Sequence, residues 1–276
     1  MQVSPGAKFR AALTDAHPLQ IVGTINAYTA MMAEQIGHRA IYLSGGACAN
    51  MSFGLPDLGM TGMTEVAEDA RRITAAVDTP LLVDIDTGWG GAFNIARTIK
   101  EMTQAGVAAV HIEDQVAQDR IKAAVDARSD DNFFIIARTD AYACEGLDAA
   151  LDRTEAYIEA GADGIFAEAM TSLRQYQIFK SRCDVPLLAN MTEFGRSPIF
   201  SKGELASADV DMILYPFTAA RAMNKAAENV YTTLLDKGDQ RTLIDSMQTR
   251  DALYEYLNYN AYESKLDGLF TQAKNV

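Results

Sequence analysis

The chain has 276 residues, of which 49% are hydrophobic, which is enough for one large domain with a sizeable core. Its formal net charge of −13, with no run of basic residues, argues against nucleic acid as a partner, and no apolar run approaches membrane-spanning length. The three cysteines are dispersed and the first residues show no signal-peptide pattern, so we expect a cytoplasmic protein with free thiols.

Short apolar segments alternate with amphipathic helical segments along most of the chain. After a helix at 7–14, strands are predicted at 21–27, 40–44, 81–86, 108–113, 133–138, 164–168, 186–190 and 212–216. Helices are predicted at 28–37, 64–77 (with Thr64 as N-cap), 92–105, 118–127, 147–160, 172–182, 202–207 and 219–237. Eight such units favour an α/β fold of the TIM type, a (β/α)8 barrel, over the alternative of a doubly wound open sheet.

Two carboxylates, Asp84 and Asp86, lie at the predicted end of the third strand, directly before a glycine-rich segment. Side chains two residues apart leave a strand on the same face, so these two repel unless a cation or a proton lies between them. Mg²⁺ fits this position because it favours one or two carboxylates together with water and substrate oxygens. The alternative interpretation is a strand end with two solvated acids.

Polar side chains gather at the carboxyl ends of nearly all the predicted strands, where (β/α)8 barrels carry their active sites. Residues placed at random would not concentrate there, so the pattern predicts an enzyme. The residues at these ends are Asn26, Ser44, Asp84, Asp86, His111, Glu113, Arg138, Glu168, Asn190 and Thr192.

Several of these residues allow two interpretations. Glu113 and Glu168 fit metal ligands or acid–base groups, or else acids placed by a helix dipole. Arg138 either pairs with Asp140 or binds a substrate carboxylate. We expect His111 to be a hydrogen-bonded barrel residue rather than a base, and Cys48 to be a buried structural thiol.

The chain resembles the isocitrate lyase/phosphoenolpyruvate mutase superfamily along nearly its whole length. The resemblance rests on segments such as AIYLSGG, LLVDIDTGWGGAFNIARTI, HIEDQV, IIARTDAY, LLANMTEFG and LYPFTAARAMNKAAE. It implies a (β/α)8 barrel that uses Mg²⁺, with Mn²⁺ as a substitute. It also implies cleavage of (2S,3R)-2-methylisocitrate to pyruvate and succinate in the methylcitrate cycle of propionate catabolism.

The same resemblance implies a homotetramer that exchanges C-terminal helices. Residues 1–276 are then expected to form a single barrel domain, in which about 238–276 are a helical tail that packs on a neighbouring subunit. Related activities of the superfamily, namely oxaloacetate decarboxylase or isocitrate lyase, remain alternatives.

Matching positions imply roles for individual residues. Tyr42, Glu113 and Arg138 resemble catalytic positions, with Tyr42 near the reacting hydroxyl. Asp84 and Asp86 resemble the metal aspartates, supported from outside by Asp57 and Glu113. The substrate contacts implied in the same way are Ser44, Gly45, Gly46, Arg138, Glu168, Asn190, Met191, Thr192, Arg221 and Arg250.

One departure from the family pattern follows Val116. A mobile loop with the signature Lys-Arg-Cys-Gly-His belongs there, and its cysteine is the expected general acid. Here Val116 runs directly into Ala117, a gap of roughly twenty residues in a βα loop, where lids and catalytic loops lie. Either a mobile lid is missing from the sequence as written, or the deletion is real and the protein only binds. The retention of the other site positions favours the first explanation.

Overall fold

The computed structural model is a closed barrel of eight parallel strands in the order β1 to β8, which confirms the predicted fold class. It describes residues 3–113 and 118–273, with side chains described as far as residue 266. No helix within these residues is both long and apolar enough to cross a membrane.

The eight strands are short, and each is followed by at least one helix. The strands are β1 (Leu19–Gly23), β2 (Ala40–Leu43), β3 (Leu81–Asp84), β4 (Ala109–Glu113), β5 (Phe134–Thr139), β6 (Gly164–Ala167), β7 (Leu187–Asn190) and β8 (Met212–Tyr215). The helices are α1 (Pro5–Asp15), α2 (Ala27–Ile36), α3 (Gly45–Ala47), α4 (Met63–Thr74), α5 (Ala92–Gln104), α6 (Gln118–Asp126), α7 (Ala141–Glu145), α8 (Leu147–Glu159), α9 (Leu173–Arg182), α10 (Lys202–Ser207), α11 (Thr218–Lys237), α12 (Arg250–Tyr256) and α13 (Tyr259–Ala273).

Local hydrogen bonds explain where the predicted boundaries were wrong. The first strand ends at Gly23 rather than at residue 27, because Asn26 begins α2 and its side chain accepts from the Thr29 N–H at 2.9 Å. Thr64 is not the N-cap of α4. Gly62 takes that position, since its N–H donates to the Glu65 carboxylate at 3.0 Å.

Apolar side chains fill the inside of the barrel and close its N-terminal end. Phe9 of α1 is fully buried against this interior, which includes Phe134 and Phe166. The Arg10 guanidinium lies 4.9 Å above the Phe134 ring and donates to Asp163 at 2.7 Å. Burying one phenylalanine stabilises a fold by about 1.5–3 kcal/mol. The packed N-terminal end leaves the carboxyl end of the strands to carry a site.

The chain divides into two compact units, with the boundary between Ala220 and Arg221 inside α11. Within the second unit, a 3-10 turn at Arg241–Ser246 separates α11 from α12. The rings of Tyr254 and Tyr259 stack with their centroids 4.2 Å apart. The single domain with a tail from about residue 238, and the packing of that tail on a neighbouring subunit, remain predictions.

Candidate active site

A cavity of about 600 Å³ opens at the carboxyl ends of the strands. Strand pairing builds it, because β3 and β4 align Asp84 with His111, and β4 and β5 align Glu113 with Arg138. Most of the side chains predicted for the site therefore meet around one space. The predicted residues that line it are Tyr42, Ser44, Gly45, Asp57, Asp84, Asp86, Glu113, Arg138, Asn190 and Thr192.

Three other predicted site residues, Gly46, Glu168 and Met191, are not among the residues that line the cavity. A Cβ atom at Gly46 would lie 2.4 Å from Asp57 Oδ2. The lack of a side chain at this position therefore leaves space for the Asp57 carboxylate. Glu168 accepts a hydrogen bond from Asn190 Nδ2 at 3.2 Å. The Met191 side chain is buried, and its sulfur accepts from the Phe200 N–H at 3.3 Å. The substrate contacts proposed for these three residues remain predictions.

The two predicted arginine contacts, Arg221 and Arg250, belong to the second unit. Arg221 lies in α11, and Arg250 is the first residue of α12. Their role at the substrate remains a prediction.

The arrangement of Asp84 and Asp86 differs from the one expected from the strand pattern. Strand β3 ends at Asp84, and Asp86 lies in the following turn with φ at +50°. The expectation that both side chains leave one face of a strand is therefore wrong. The turn brings the two together instead: the Asp86 N–H donates to Asp84 Oδ1 at 2.9 Å, and both residues line the cavity. Asp84 Oδ2 accepts from the Gly45 N–H at 3.2 Å.

Arg138 is surrounded by carboxylates. Its Nη1 lies 3.0 Å from Glu113 Oε1, its Nε and Nη2 each lie 3.1 Å from the Asp140 carboxylate, and Nη2 lies 3.9 Å from Glu168 Oε2. Burial acts to lower the pKa of Arg138, but these acids outweigh it and raise the pKa. Of the two interpretations of Arg138, the structure bears out the pair with Asp140. The same side chain also lines the cavity, so a substrate carboxylate can reach it.

Tyr42 and His111 form a buried pair at the base of the cavity. Tyr42 Oη lies 2.9 Å from His111 Nε2 and 3.5 Å from Asp84 Oδ2. His111 is fully buried, and burial lowers the pKa of its imidazole, which confirms the prediction of a hydrogen-bonded barrel residue. Burial, followed by the charge of Asp84, raises the pKa of Tyr42 well above its usual range. Tyr42 therefore offers a protonated hydroxyl to the cavity.

The charges around the cavity fit a bound divalent cation. Of the described residues that line it, four are acidic (Asp57, Asp84, Asp86 and Glu113), and Arg138 is the basic one. Burial and then the charge of Asp84 raise the pKa values of Asp57 and Asp86, and burial raises the pKa of Glu113 to about 7. A cation bound among these acids would offset both the burial and the repulsion from Asp84 that raise their pKa values.

The number of direct ligands also suits Mg²⁺. Within the described residues, no three His, Cys, Asp or Glu side chains stand close enough together to hold a metal ion directly. Mg²⁺ keeps several waters and uses one or two protein carboxylates. Asp84 and Asp86 could supply these carboxylates, and the outer roles of Asp57 and Glu113 remain predictions.

Some residues of the cavity wall were not found from the sequence. They include Leu58, Thr61, Trp89, Phe166 and Phe217. Leu58 and Thr61 lie in a segment rich in glycine and proline, residues 53–62, which signals a long βα loop but does not indicate which side chains turn inward. Trp89 is held by a hydrogen bond from its Nε1 to the Thr61 carbonyl at 3.2 Å.

The fold and this site define a (β/α)8-barrel enzyme whose cavity gathers acids and an arginine at the carboxyl ends of the strands. A family model described as phosphoenolpyruvate phosphomutase matches residues 9–235. The chain belongs to this family, within the isocitrate lyase/phosphoenolpyruvate mutase superfamily, as the sequence predicts.

Curated relatives of nearly full length carry one name. A 2-methylisocitrate lyase of Vibrio cholerae is 60% identical, with 99% of this chain and 96% of the relative covered. A 2-methylisocitrate lyase of Escherichia coli is 54% identical, with 98% of both chains covered. These relatives confirm the predicted enzyme class, a lyase.

Solved structures agree in fold. The structure of a 2,3-dimethylmalate lyase is 30% identical, with a TM-score of 0.87 over 98% of this chain and 100% of that one. A phosphonopyruvate hydrolase, in complex with oxalate and Mg²⁺, is 27% identical, with a TM-score of 0.85 over 95% of this chain and 97% of that one.

The Vibrio cholerae relative also bears on the missing loop. The alignment has 296 positions whereas this chain has 276 residues, so at least 20 positions of the relative have no counterpart here. The full sequence is continuous from Val116 to Ala117. The number of unmatched positions agrees with the predicted gap of roughly twenty residues, and the two explanations of the gap both remain open. The predicted insertion point lies outside the described residues.

Proposed function

We propose that the protein is a Mg²⁺-dependent carbon–carbon lyase that cleaves (2S,3R)-2-methylisocitrate to pyruvate and succinate. The observation that carries the proposal is the cavity in which Arg138 and four acidic side chains converge, in a chain 60% identical to a lyase of this name. Mn²⁺ as a substitute metal, a cytoplasmic location and a homotetramer that exchanges C-terminal helices complete the proposal.

The substrate carboxylates are bound by the polar wall of the cavity. Arg138 is a planar donor suited to a carboxylate, and Asn190 and Thr192 add neutral polar groups to the same cavity wall. Ser44 and the Gly45 N–H lie next to Asp84. Arg221 and Arg250 are proposed as further contacts on the family resemblance alone.

The reaction breaks one carbon–carbon bond and moves one proton. The substrate hydroxyl gives up its proton, the oxygen forms the carbonyl of pyruvate, and the carbon–carbon bond breaks. Its electron pair stays on the carbon that becomes part of succinate, and that carbon takes up a proton. A bound Mg²⁺ supplies Lewis acidity that makes the hydroxyl easier to ionise. Tyr42, fixed by His111, orients the hydroxyl, and Arg138 holds the fragment that becomes negatively charged.

The source of the final proton distinguishes this chain from the family pattern. None of the described residues that line the cavity is a cysteine. Cys48 and Cys183 are buried, and Cys144 is exposed in α7. Because the loop cysteine has no counterpart, we infer that water protonates the succinate carbon and that turnover is slow.

The direct test is pyruvate release. Purified full-length protein with Mg²⁺ and 2-methylisocitrate should form pyruvate and succinate in equal amounts. Asp84→Ala should abolish this activity, whereas Asp152→Ala, an exposed acid of α8, should not change it. Equal activity of Asp84→Ala and wild type would sink the metal assignment. Competition by isocitrate and oxaloacetate tests the related activities, because one methyl group contributes only about 1–3 kcal/mol of discrimination.

A second candidate function is a carboxylate-binding protein without turnover. The 20 or more unmatched positions favour it if they correspond to the loop that the resemblance places after Val116, which carries the expected general acid. Calorimetry with Mg²⁺ and 2-methylisocitrate separates the two candidates. Heat of binding without pyruvate release supports the binding protein, and pyruvate release in the same sample rules it out.

A further inference from the structure

The turn that carries Asp86 away from β3 has an unusual backbone. Four residues have positive φ: Asp86 at 50°, Gly88 at 84°, Trp89 at 54° and Gly90 at 142°. This region suits glycine, but it is unfavourable for residues with a side chain such as Asp86 and Trp89. Such a turn persists only where surrounding contacts hold it.

Arg120 of α6 holds this turn through hydrogen bonds to the carbonyl groups of the turn. Its Nη1 donates to the Thr87 carbonyl at 2.5 Å and to the Gly90 carbonyl at 3.1 Å. The preceding carbonyl, that of Asp86, accepts from the Glu113 N–H of β4 at 2.8 Å. The successive carbonyls of Asp86 and Thr87 thus accept hydrogen bonds from β4 and from α6, respectively.

The chemistry of these contacts favours arginine. A guanidinium has five donors in a rigid plane and can hold two carbonyls at once, whereas an ammonium is a compact charge on a flexible stem. Arg120 is half-buried and is not one of the residues that line the cavity. It can therefore act on the site through the turn rather than by touching substrate.

We propose that Arg120 is a positioning residue for the divalent cation: it fixes the turn 86–90 so that the Asp86 carboxylate faces the cavity. The inference rests on the metal site of the proposed function. The metal turn is then held without the missing segment, because Arg120 reaches it from α6 although only residues 114–117 separate β4 from α6.

The test is a Mn²⁺ titration of the metal-free, full-length protein, followed by electron paramagnetic resonance. Arg120→Met keeps most of the aliphatic stem and removes the donors, and we expect it to raise the Kd for Mn²⁺ about tenfold or more, the usual effect of losing an outer partner of a metal ligand. Arg120→Lys should fall between this variant and wild type. Lys122→Met, an exposed position on the same helix, is the matched control and should bind Mn²⁺ like wild type.

Circular dichroism and the thermal midpoint without metal separate positioning from a purely structural role. A folded Arg120→Met protein with wild-type Mn²⁺ affinity overturns the inference, even if its midpoint falls. If Arg120→Met does not fold, Arg120→Gln, which keeps two of the five N–H donors, is tested in its place, and wild-type Mn²⁺ affinity in that variant overturns the inference. Absence of Mn²⁺ binding in wild type would overturn the proposed metal site and this inference together, whereas unaffected variants would overturn the inference alone.

Discussion

Arg138 Nη1 lies 3.0 Å from Glu113 Oε1, and this pair links the ends of the neighbouring strands β5 and β4 at the cavity wall. Both side chains are largely buried, with 22% and 18% of their surface exposed. Removal of one partner from such a pair leaves an uncompensated charge, whereas an exposed pair contributes little.

We therefore expect Arg138→Met to abolish pyruvate release and to lower the free energy of unfolding by about 3–5 kcal/mol. In this variant, the acids Glu113, Asp140 and Glu168 lose the guanidinium group that lies among them. Urea unfolding of the metal-free protein measures the loss of stability.

Arg153→Met is the matched control for Arg138→Met, because Arg153 pairs with Glu145 at an exposed position. This control variant should lower the free energy of unfolding by less than about 1 kcal/mol. The double variant Glu113→Gln/Arg138→Met should recover part of the stability lost in Arg138→Met. If Arg138→Met loses no more free energy of unfolding than Arg153→Met, the role given to the buried pair is contradicted.

Gly46→Ala should disturb the site without entering the cavity. The added Cβ would lie 2.4 Å from Asp57 Oδ2, so the carboxylate has to move. We expect a roughly tenfold weaker Mn²⁺ affinity, in line with the loss of an outer metal partner. Gly203→Ala in α10, where nothing lies within 4 Å of the new Cβ, is the control and should not change the affinity. Equal affinities in the two variants would remove Asp57 from the proposed metal site.

Restoring the missing segment should restore fast turnover. A chimera that carries the family loop with the signature Lys-Arg-Cys-Gly-His between Val116 and Ala117 gains the expected general acid. General acid–base catalysis contributes roughly 10²–10⁴-fold, so the rate of pyruvate release should rise by that order. The same chimera with the loop cysteine replaced by alanine is the control. Equal rates in both chimeras would show that a missing acid does not limit this chain.

The stability of the fold should depend on alkaline pH through Cys48. Burial, with the nearby Asp69 carboxylate adding to it, raises the pKa of the Cys48 thiol from 9.0 to about 12. Between these values the folded state holds a proton that the unfolded state has lost. The free energy of unfolding therefore falls as pH rises through this interval, by up to about 4 kcal/mol for this group.

Cys48→Ala isolates this effect from other titrations. The variant lacks the thiol, so its free energy of unfolding should fall less steeply than that of wild type between pH 8 and pH 10.5, measured by urea unfolding. Parallel pH profiles for the two proteins would disprove the assignment.

Much of the architecture could be predicted from the sequence because the signals are local. Alternating apolar strands and amphipathic helices gave eight units in the right order, and the closed barrel follows from their number. Residues at the strand ends, such as Asn190 and Arg138, were found because a barrel collects these ends around one opening. The buried state of Cys48 was also predicted correctly.

The positions of individual side chains could not be predicted in the same way. The N-cap of α4 was misplaced by two residues, since Thr64 and Gly62 compete and only the position of the Glu65 side chain decides. Residues of long loops that face the cavity, such as Trp89 and Thr61, carry no periodic signal.

The sequence by itself determined the barrel and the acidic strand ends, because the periodicity of strands and helices is a local signal that needs no partner from elsewhere in the chain. The tertiary structure decided how Asp84 and Asp86 meet. It places Asp86 in a turn of positive φ rather than on the face of β3. Carbonyl groups of this turn accept hydrogen bonds from Glu113 and Arg120. That backbone is unfavourable by itself for a residue with a side chain, so it forms only where β4 and α6 supply the hydrogen bonds.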